Sequence, residues 1–470
     1  MSVLLQALGP MLLLYFNQVV GLPAIWVSSV IGITIAVDAV TDLMIGYASD
    51  NWRSRWGRRH PFMYFAILPS AVAFYFLFNP PNGWSQESLF VYMVTTMIAI
   101  RVLFSFYDLP STALGAEMTS DYDERTRMTA YRFFFGNIST AVVGYVTYSV
   151  FLASTEQYPT GQLNPQGYAA FGLFGAISII ISILIANIGT QHFIPYLHQP
   201  EKRKLGPITA GKEVFQTLWN RNYIILLIFG IFSAIYAGID TSLRLYFTTY
   251  FFQLTGEQIS SLVIGFLPAP FVAAFISPYL GRKYGKKWTT IGAMLALLFL
   301  GFIPLWLWVT GLLPTKDSPW LMVILVADIF LGGMLLMISS IQGASMIFDL
   351  TEEIQVKTGR RSEGILFSAG SVAQKMVTGL GAYLAGLMLF WVGFPDKAEP
   401  GHVDPAILNH LLYIFLPSSL VLNLLAIGTL SLYSNDRERH EANLRILRDA
   451  RLKNRGDENA PAGPSLGGSD

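Results

Sequence analysis

Long apolar runs separated by short polar loops make up almost the whole chain. A helix needs about 20 apolar residues to cross roughly 30 Å of hydrocarbon. Twelve runs have this character, and they cover residues 3–20, 25–49, 62–79, 89–117, 130–153, 168–195, 221–251, 259–280, 288–311, 320–348, 363–393 and 406–433. The first run is short and contains Gly9 and Pro10, so we expect either a brief helix or a start upstream of Met1. The pattern predicts an all-α membrane protein with twelve transmembrane helices.

The longest polar connection between spans divides the twelve helices into six and six. We predict an N-terminal half at 1–195, a linker at 196–220, a C-terminal half at 221–433 and a cytoplasmic, partly disordered tail at 434–470. The second span of each half is followed by a glycine turn with basic residues, GYASDNWRSRWGRR and SPYLGRKYGKKW. This repetition favours duplicated halves around a central site. The alternative is convergence, because short basic loops resemble one another.

Lysine and arginine predict how the helices are oriented in the membrane. Most of the 31 such residues lie in the tail or in loops that follow even-numbered spans, whereas Lys316 and Lys397 alone follow odd-numbered spans. Basic loops tend to stay on the cytoplasmic side. We therefore expect an integral protein of the cytoplasmic (inner) membrane with both termini in the cytoplasm.

Composition excludes several classes of protein. Charged residues make up 13% of the chain, against about 25% in a soluble domain. The net charge of +1 gives no electrostatic reason to expect nucleic acid as a partner. Cysteine is absent, which excludes disulfides, thiolate metal sites and cysteine nucleophiles. Neither a Walker A pattern nor a HExxH motif occurs, so we expect no enzyme, no cofactor and no metal beyond a possible Na⁺.

Two acidic residues in the second span are the first candidates for a site. Asp38 and Asp42 are four residues apart and share one helix face, which Thr41 joins three residues after Asp38. A carboxylate at bilayer depth costs roughly 2.5–3.5 kcal/mol. A bound cation would relieve this cost, since hard ions take carboxylate and hydroxyl oxygens. The two carboxylates could also share a proton, or pair with buried basic residues in a purely structural role.

Seven more charged residues lie within the predicted spans. Those in spans 4, 5, 7, 10 and 11 are Arg101, Asp108, Arg132, Asp240, Arg244, Asp328 and Lys375. Unpaired, nine charges would cost on the order of 25 kcal/mol, more than a fold stable by about 5–15 kcal/mol can carry. We expect these side chains to face one another or a wet cavity between the halves. Structural alternatives remain for Asp240 with Arg244, for Arg101 with the span-2 acids, and for Asp328 near the external end.

Several motifs together resemble one family. They are DAVTD at 38–42 with Gly46, SRWGRRHP at 54–61, YDLP at 107–110, DYDERT at 121–126, YRFF at 131–134 and KTGRRSE at 357–363. In this combination the chain is similar to the sodium/melibiose permease group, the glycoside–pentoside–hexuronide:cation symporter family of the major facilitator superfamily. The resemblance extends from about residue 12 to about residue 435 and implies the major facilitator fold.

The resemblance also implies roles for individual residues. It assigns cation binding to Asp38, Asp42, Thr41 and Ser105, and substrate binding to Asp108, Arg132, Thr112 and Lys375, with Lys375 coupling the two. We further predict a coupling and charge network of Lys375, Arg101, Asp240 and Arg244, and a cytoplasmic gating motif of Asp50, Arg55, Gly57, Arg58 and Arg59. Two positions depart from the melibiose permeases, which carry an aspartate at about Ser2 and a sugar-stacking tryptophan at Thr112. Cation coupling is therefore expected, but specificity for galactosides is not.

The expected function is secondary active transport. We expect a monomer in the lipid bilayer that moves a sugar or glycoside together with Na⁺ or H⁺ by alternating access. Two alternatives remain: a transporter of lysolipids or other amphiphiles from the same superfamily, and a membrane sensor that binds solute without moving it. The sequence leaves open both the solute and the choice between Na⁺ and H⁺.

Overall fold

The computed structural model of the chain describes residues 2–118, 122–196, 219–316, 318–358 and 363–434. Within these ranges it consists of twelve long helices and contains no strand. The first half contains Ser2–Val20 (α1), Ala24–Asn51 (α2), His60–Leu77 (α3), Gln86–Glu117 (α4), Tyr122–Val146 continued by Thr147–Phe151 (α5) and Pro165–Gln191 (α6). The second half contains Arg221–Phe251 (α7), Gly256–Tyr284 (α8), Lys286–Val309 (α9), Pro319–Thr358 (α10), Glu363–Trp391 (α11) and Pro405–Ser431 (α12).

The helices confirm the predicted all-α membrane architecture. Among the described residues, 11 helices are long and apolar enough to cross a membrane. The remaining predicted span corresponds to α11, a 29-residue helix that packs against α2 of the first half and α7 of the second. Most of the linker and almost all of the tail lie outside the described residues, so their predicted boundaries remain predictions.

Some helices are longer than the apolar runs that predicted them. The helix α5 begins at Tyr122 rather than 130, and α10 continues to Thr358 rather than ending at 348. Both extensions are rich in Glu, Lys and Arg, which are good helix formers but are too polar to register in a hydropathy pattern. The helix α1 bends at Gly9, whose backbone leaves the helical region before Pro10. A proline lacks the N–H that would continue the helix.

The same helix neighbours recur in the two halves. In the first half α4 packs against α2 and α3, and α3 packs against α6. In the second half α10 packs against α8 and α9, and α9 packs against α12. These matching neighbours support the prediction of duplicated halves.

Hydrogen bonds join the halves at the end of the bundle opposite the two termini, which we call the distal end. Near it, the Tyr246 hydroxyl donates to Asn17 Oδ1 at 2.8 Å, and the Tyr250 hydroxyl donates to Gln18 Oε1 at 2.9 Å. Asn17 Nδ2 also donates to Asp396 Oδ1 at 2.6 Å. Because most of these groups are buried, they would be costly to leave unpaired. The distal end is therefore closed in this conformation.

Candidate functional site

A cavity of about 430 Å³ lies between the halves, with walls from α1, α2, α4, α7 and α11. Its charged and hydroxyl-bearing lining includes Asp38, Asp42, Arg101, Ser105, Asp108 and Lys375. A cavity of this size lies within the range of small-molecule sites, which is about 300–1,000 Å³. The structure therefore brings most of the predicted cation and substrate residues into one space.

The two carboxylates of α2 are held by cations from two other helices. Asp38 is buried, and its Oδ1 accepts a hydrogen bond from Ser105 Oγ at 3.1 Å. Its Oδ2 lies 3.7 Å from Arg101 Nη1 and 3.7 Å from Lys375 Nζ. Lys375 Nζ is also 2.7 Å from Asp42 Oδ2. The negative charges of Asp38 and Asp42 are matched by the positive charges of Arg101 and Lys375. The two carboxylates are therefore electrically compensated in this conformation.

The ammonium group of Lys375 lies where the sequence predicts a cation. It approaches both carboxylates, and it comes from α11 in the opposite half. Its side chain is 42% exposed, so the group also faces the open part of the cavity. A monovalent ion binding between Asp38 and Asp42 would therefore compete with Lys375 for the same oxygens.

Thr41 does not join the carboxylates at the cavity. Its hydroxyl donates to the backbone carbonyls of Val37 and Asp38, both at 3.0 Å, and the residue is not part of the cavity wall. Each helical residue advances about 100°, so Asp42 lies about 40° to one side of Asp38 and Thr41 about 60° to the other. In this conformation Thr41 therefore lies outside the cavity wall, and its role as a cation ligand stays a prediction.

The predicted substrate residues are divided between two places. Asp108 lines the cavity together with Lys375. Arg132 Nη2 instead donates to Thr112 Oγ1 at 2.9 Å, and neither of these two exposed residues lines the cavity. Among the described residues, Asp108 and Arg132 form no ion pair in this conformation.

Asp240 and Arg244 line a second cavity, of about 480 Å³, and lie apart from the network around Lys375. Arg244 donates to Asp240 one turn earlier on α7, and Asp328 of α10 lines the same cavity. The two cavities share Leu5 and Thr241 in their walls. The predicted charge network of Lys375, Arg101, Asp240 and Arg244 is therefore divided between the two cavities. The division arises because Asp240 and Arg244 lie on a part of α7 that faces α10 rather than α11.

The gating motif forms an ion-pair cluster at the other end of the bundle. Arg59 Nη2 lies 2.7 Å from Asp50 Oδ1 and 2.7 Å from Glu117 Oε1, and Arg58 Nη2 lies 2.6 Å from the same Glu117 oxygen. Gly57 takes a positive φ of 76°, which lets the chain turn into α3. Arg55 is exposed.

Sequence reasoning missed two acids that meet these basic loops. Glu117, at the end of α4, is the shared acceptor of Arg58 and Arg59. In the second half Lys286 Nζ donates to both oxygens of Asp349 on α10 at 2.7 Å. The available signal was an acid near the end of spans 4 and 10. Glu117 and Asp349 each lie on the helix that packs against the helix following a basic turn.

Comparison with known proteins identifies the type of molecule to which this cavity belongs. A family model described as MFS/sugar transport protein matches residues 2–437. The chain belongs to this family. The match confirms the resemblance to the glycoside–pentoside–hexuronide:cation symporters of the major facilitator superfamily, and it identifies an integral membrane transporter rather than an enzyme.

Individual relatives are similar over most of their length. An uncharacterised symporter of Synechocystis sp. is 24% identical over 84% of this chain and 84% of the relative. The isoprimeverose transporter of Lactiplantibacillus pentosus is 24% identical over 86% of this chain and 80% of that protein. Among solved structures, the nucleoside transporter NupG matches with a TM-score of 0.62 at 15% identity, over 91% of this chain and 95% of that one. The structural likeness shows the major facilitator fold.

Proposed function

We propose that this transporter moves a sugar or glycoside together with a cation, Na⁺ or H⁺, by alternating access. The observation that carries the proposal is the link between Lys375 of α11 and Asp38 and Asp42 of α2, beside Asp108 in a cavity between the halves. The similarity to an isoprimeverose transporter favours a glycoside as the solute. We assign the end with both termini to the cytoplasm of the inner membrane, because the basic loops lie there.

Competition for the α2 carboxylates provides a physical route to coupling. A cation that takes oxygens from Asp38 and Asp42 displaces the Lys375 ammonium and weakens an ion pair between the halves. The released ammonium remains next to Asp108, where it can donate to a hydroxyl of the solute. Ion and solute then favour the same conformation, which is the requirement for thermodynamic coupling.

Uptake into vesicles tests this proposal. Purified protein in liposomes is given a panel of labelled glycosides with an inward Na⁺ gradient, an inward proton gradient or no gradient. We expect accumulation of at least one glycoside with one of the gradients, and loss of that accumulation in Asp42→Asn.

The same assay separates the alternatives. Counterflow exchange without net accumulation in the wild type would contradict symport and favour a uniporter, whereas binding without exchange would favour a sensor. Accumulation of a lysolipid but of no glycoside would replace the proposed solute. Undiminished accumulation by Asp42→Asn would move the ion site away from α2.

A further inference from the structure

Asp328 is a cavity-lining acid that has no ion-pair partner of its own among the described residues. Its Oδ1 atom is buried without a hydrogen-bond partner in the part of the chain that the structure describes. The cavity of about 480 Å³ that it lines contains Asp240, Arg244, Tyr236 and Tyr148 as its other titratable groups. Arg244 is already paired with Asp240. Two acids and one base leave this space one negative charge in excess.

Among the residues that the structure describes, the surrounding helices offer no second base. From α8, α9 and α12 the walls next to Asp328 are formed by side chains such as Leu262, Leu305 and Phe415. From α1 and α5 of the first half the cavity receives Gln6, Asn137 and Thr140, which are polar but uncharged. Within the described part of the chain, the charged groups of this space other than Asp328 all come from α7.

The depth of Asp328 makes the excess charge costly. It lies about nine residues into α10, or roughly 14 Å along the helix axis, close to the middle of a hydrocarbon layer roughly 30 Å thick. The expected relief by water at the end of the span therefore does not apply. An isolated carboxylate at that depth costs roughly 2.5–3.5 kcal/mol, and a bound proton removes the charge.

We propose that Asp328 is a proton-binding site, separate from the Asp38–Asp42 pair and located in the opposite half. The proton resides on the carboxyl of Asp328 and leaves as H⁺, so no other reactant is needed. After its release Asp328 and Asp240 share the single guanidinium of Arg244, which changes the contact between α7 and α10. A transport role for this switch rests on the proposed function, but proton binding itself does not.

Infrared spectroscopy tests the site without knowledge of the solute. Purified full-length protein at neutral pH is examined for the carbonyl stretch of a protonated carboxylic acid, and the band is verified by its shift in D₂O. We expect this band in the wild type, loss of one component of it in Asp328→Asn, and retention of that component at a shifted frequency in Asp328→Glu. Asp404→Asn is the matched control, because Asp404 is an exposed N-cap that asparagine replaces well.

Three results would overturn the proposal: no such band in the wild type at neutral or mildly acidic pH, an unchanged band in Asp328→Asn, or loss of the band in Asp38→Asn instead. Asp328→Glu keeps the test decisive should the asparagine variant fold poorly. Failure of gradient-driven uptake in vesicles would count against the proposed symport while leaving this band in place, so the two failures are distinguishable.

Discussion

Lys375 joins the two carboxylates of α2 to the opposite half of the molecule. Asp38 has Arg101 as a second ion-pair partner, whereas Asp42 forms its ion pair with Lys375 alone among the described residues. Breaking a buried ion pair leaves a charge without compensation, which is why single substitutions in such networks cost more than the pair contributes. Lysine is suited to this position because its ammonium is a compact charge that can exchange places with a small ion.

Removal of the ammonium should make stability depend on the coupling cation. We expect Lys375→Gln to lose about 1–3 kcal/mol of unfolding free energy, less than a fully buried pair because the side chain is partly exposed. If the ion is Na⁺, added NaCl should then raise the melting temperature more than in the wild type, and choline chloride should not. Thermal unfolding in detergent measures this.

The matched control for that experiment is Lys316→Gln, which removes an exposed lysine of a distal loop. An equal response of both variants to NaCl would show that the effect is ionic strength alone. A response of Lys375→Gln to pH but not to NaCl would identify the proton as the ion that replaces the ammonium.

At the level of single residues, the shared face of Asp38 and Asp42 was predictable because helical periodicity is local. Their cationic partners could be anticipated only in outline, Arg101 as a structural alternative and Lys375 through the family resemblance, since Lys375 and Asp42 are separated by 333 positions along the chain. The place of Thr41 depends on more than periodicity, because a residue about 60° from Asp38 and about 100° from Asp42 lies at the edge of their shared face. A hydroxyl side chain can also satisfy itself on the preceding turn, and Thr41 does so.

Among the helices, the backbones of the two halves approach each other closely where α8 begins. A Cβ atom added to Gly256 would lie 2.0 Å from the carbonyl oxygen of Leu152, at the end of α5 in the other half. A contact this short forces one backbone to move. Glycine is therefore required for closure at this point rather than for the conformation of α8 itself.

Gly256→Ala should open the distal end. The chain has no native cysteine, so spin labels can be attached through Glu156→Cys and Glu399→Cys in distal loops of the two halves. We expect a longer mean distance between the labels in Gly256→Ala than in the otherwise unchanged protein. Gly292→Ala is the control, because a Cβ there meets nothing within 4 Å. Identical distance distributions in all three proteins would contradict the steric argument.

At the opposite end of the helices, Glu117 connects α4 to the turn before α3. Glu117→Gln should lower the unfolding free energy by about 1.5–3 kcal/mol, because two arginines lose a charged acceptor whose side chain is 18% exposed. Asp50→Asn should cost less than about 1 kcal/mol, since Asp50 is 56% exposed. Equal losses in thermal unfolding would mean that burial does not set the strength of this cluster.

For the whole molecule, the distal closure depends on a loop outside the membrane spans. Burial raises the pKa of Asp396, while the hydrogen bond from Asn17 opposes this rise. A raised pKa means that the folded protein binds the proton more tightly than the unfolded chain. Stability should therefore fall as the pH rises from about 3.9, the ordinary aspartate value, through the raised value, and should then level off.

Thermal unfolding across mildly acidic pH checks this dependence. We expect the difference in melting temperature between the wild type and Asp396→Asn to change over that window and to be constant above it, since asparagine does not titrate. A difference that is independent of pH throughout would assign the titration to other carboxyls.

The sequence by itself determined the number and order of the membrane helices, the family and the common face of two acids in α2. These depend on hydropathy and periodicity, which are properties of neighbouring residues. Only the tertiary structure decided that Lys375 contacts both acids and that Asp240 and Arg244 belong to a separate cavity. It also decided that Glu117 receives both arginines and that Asp328 has no ion pair of its own among the described residues. Those relations depend on how helices distant in sequence pack, because a charge in a membrane is stabilised by whichever groups packing places within a few ångströms.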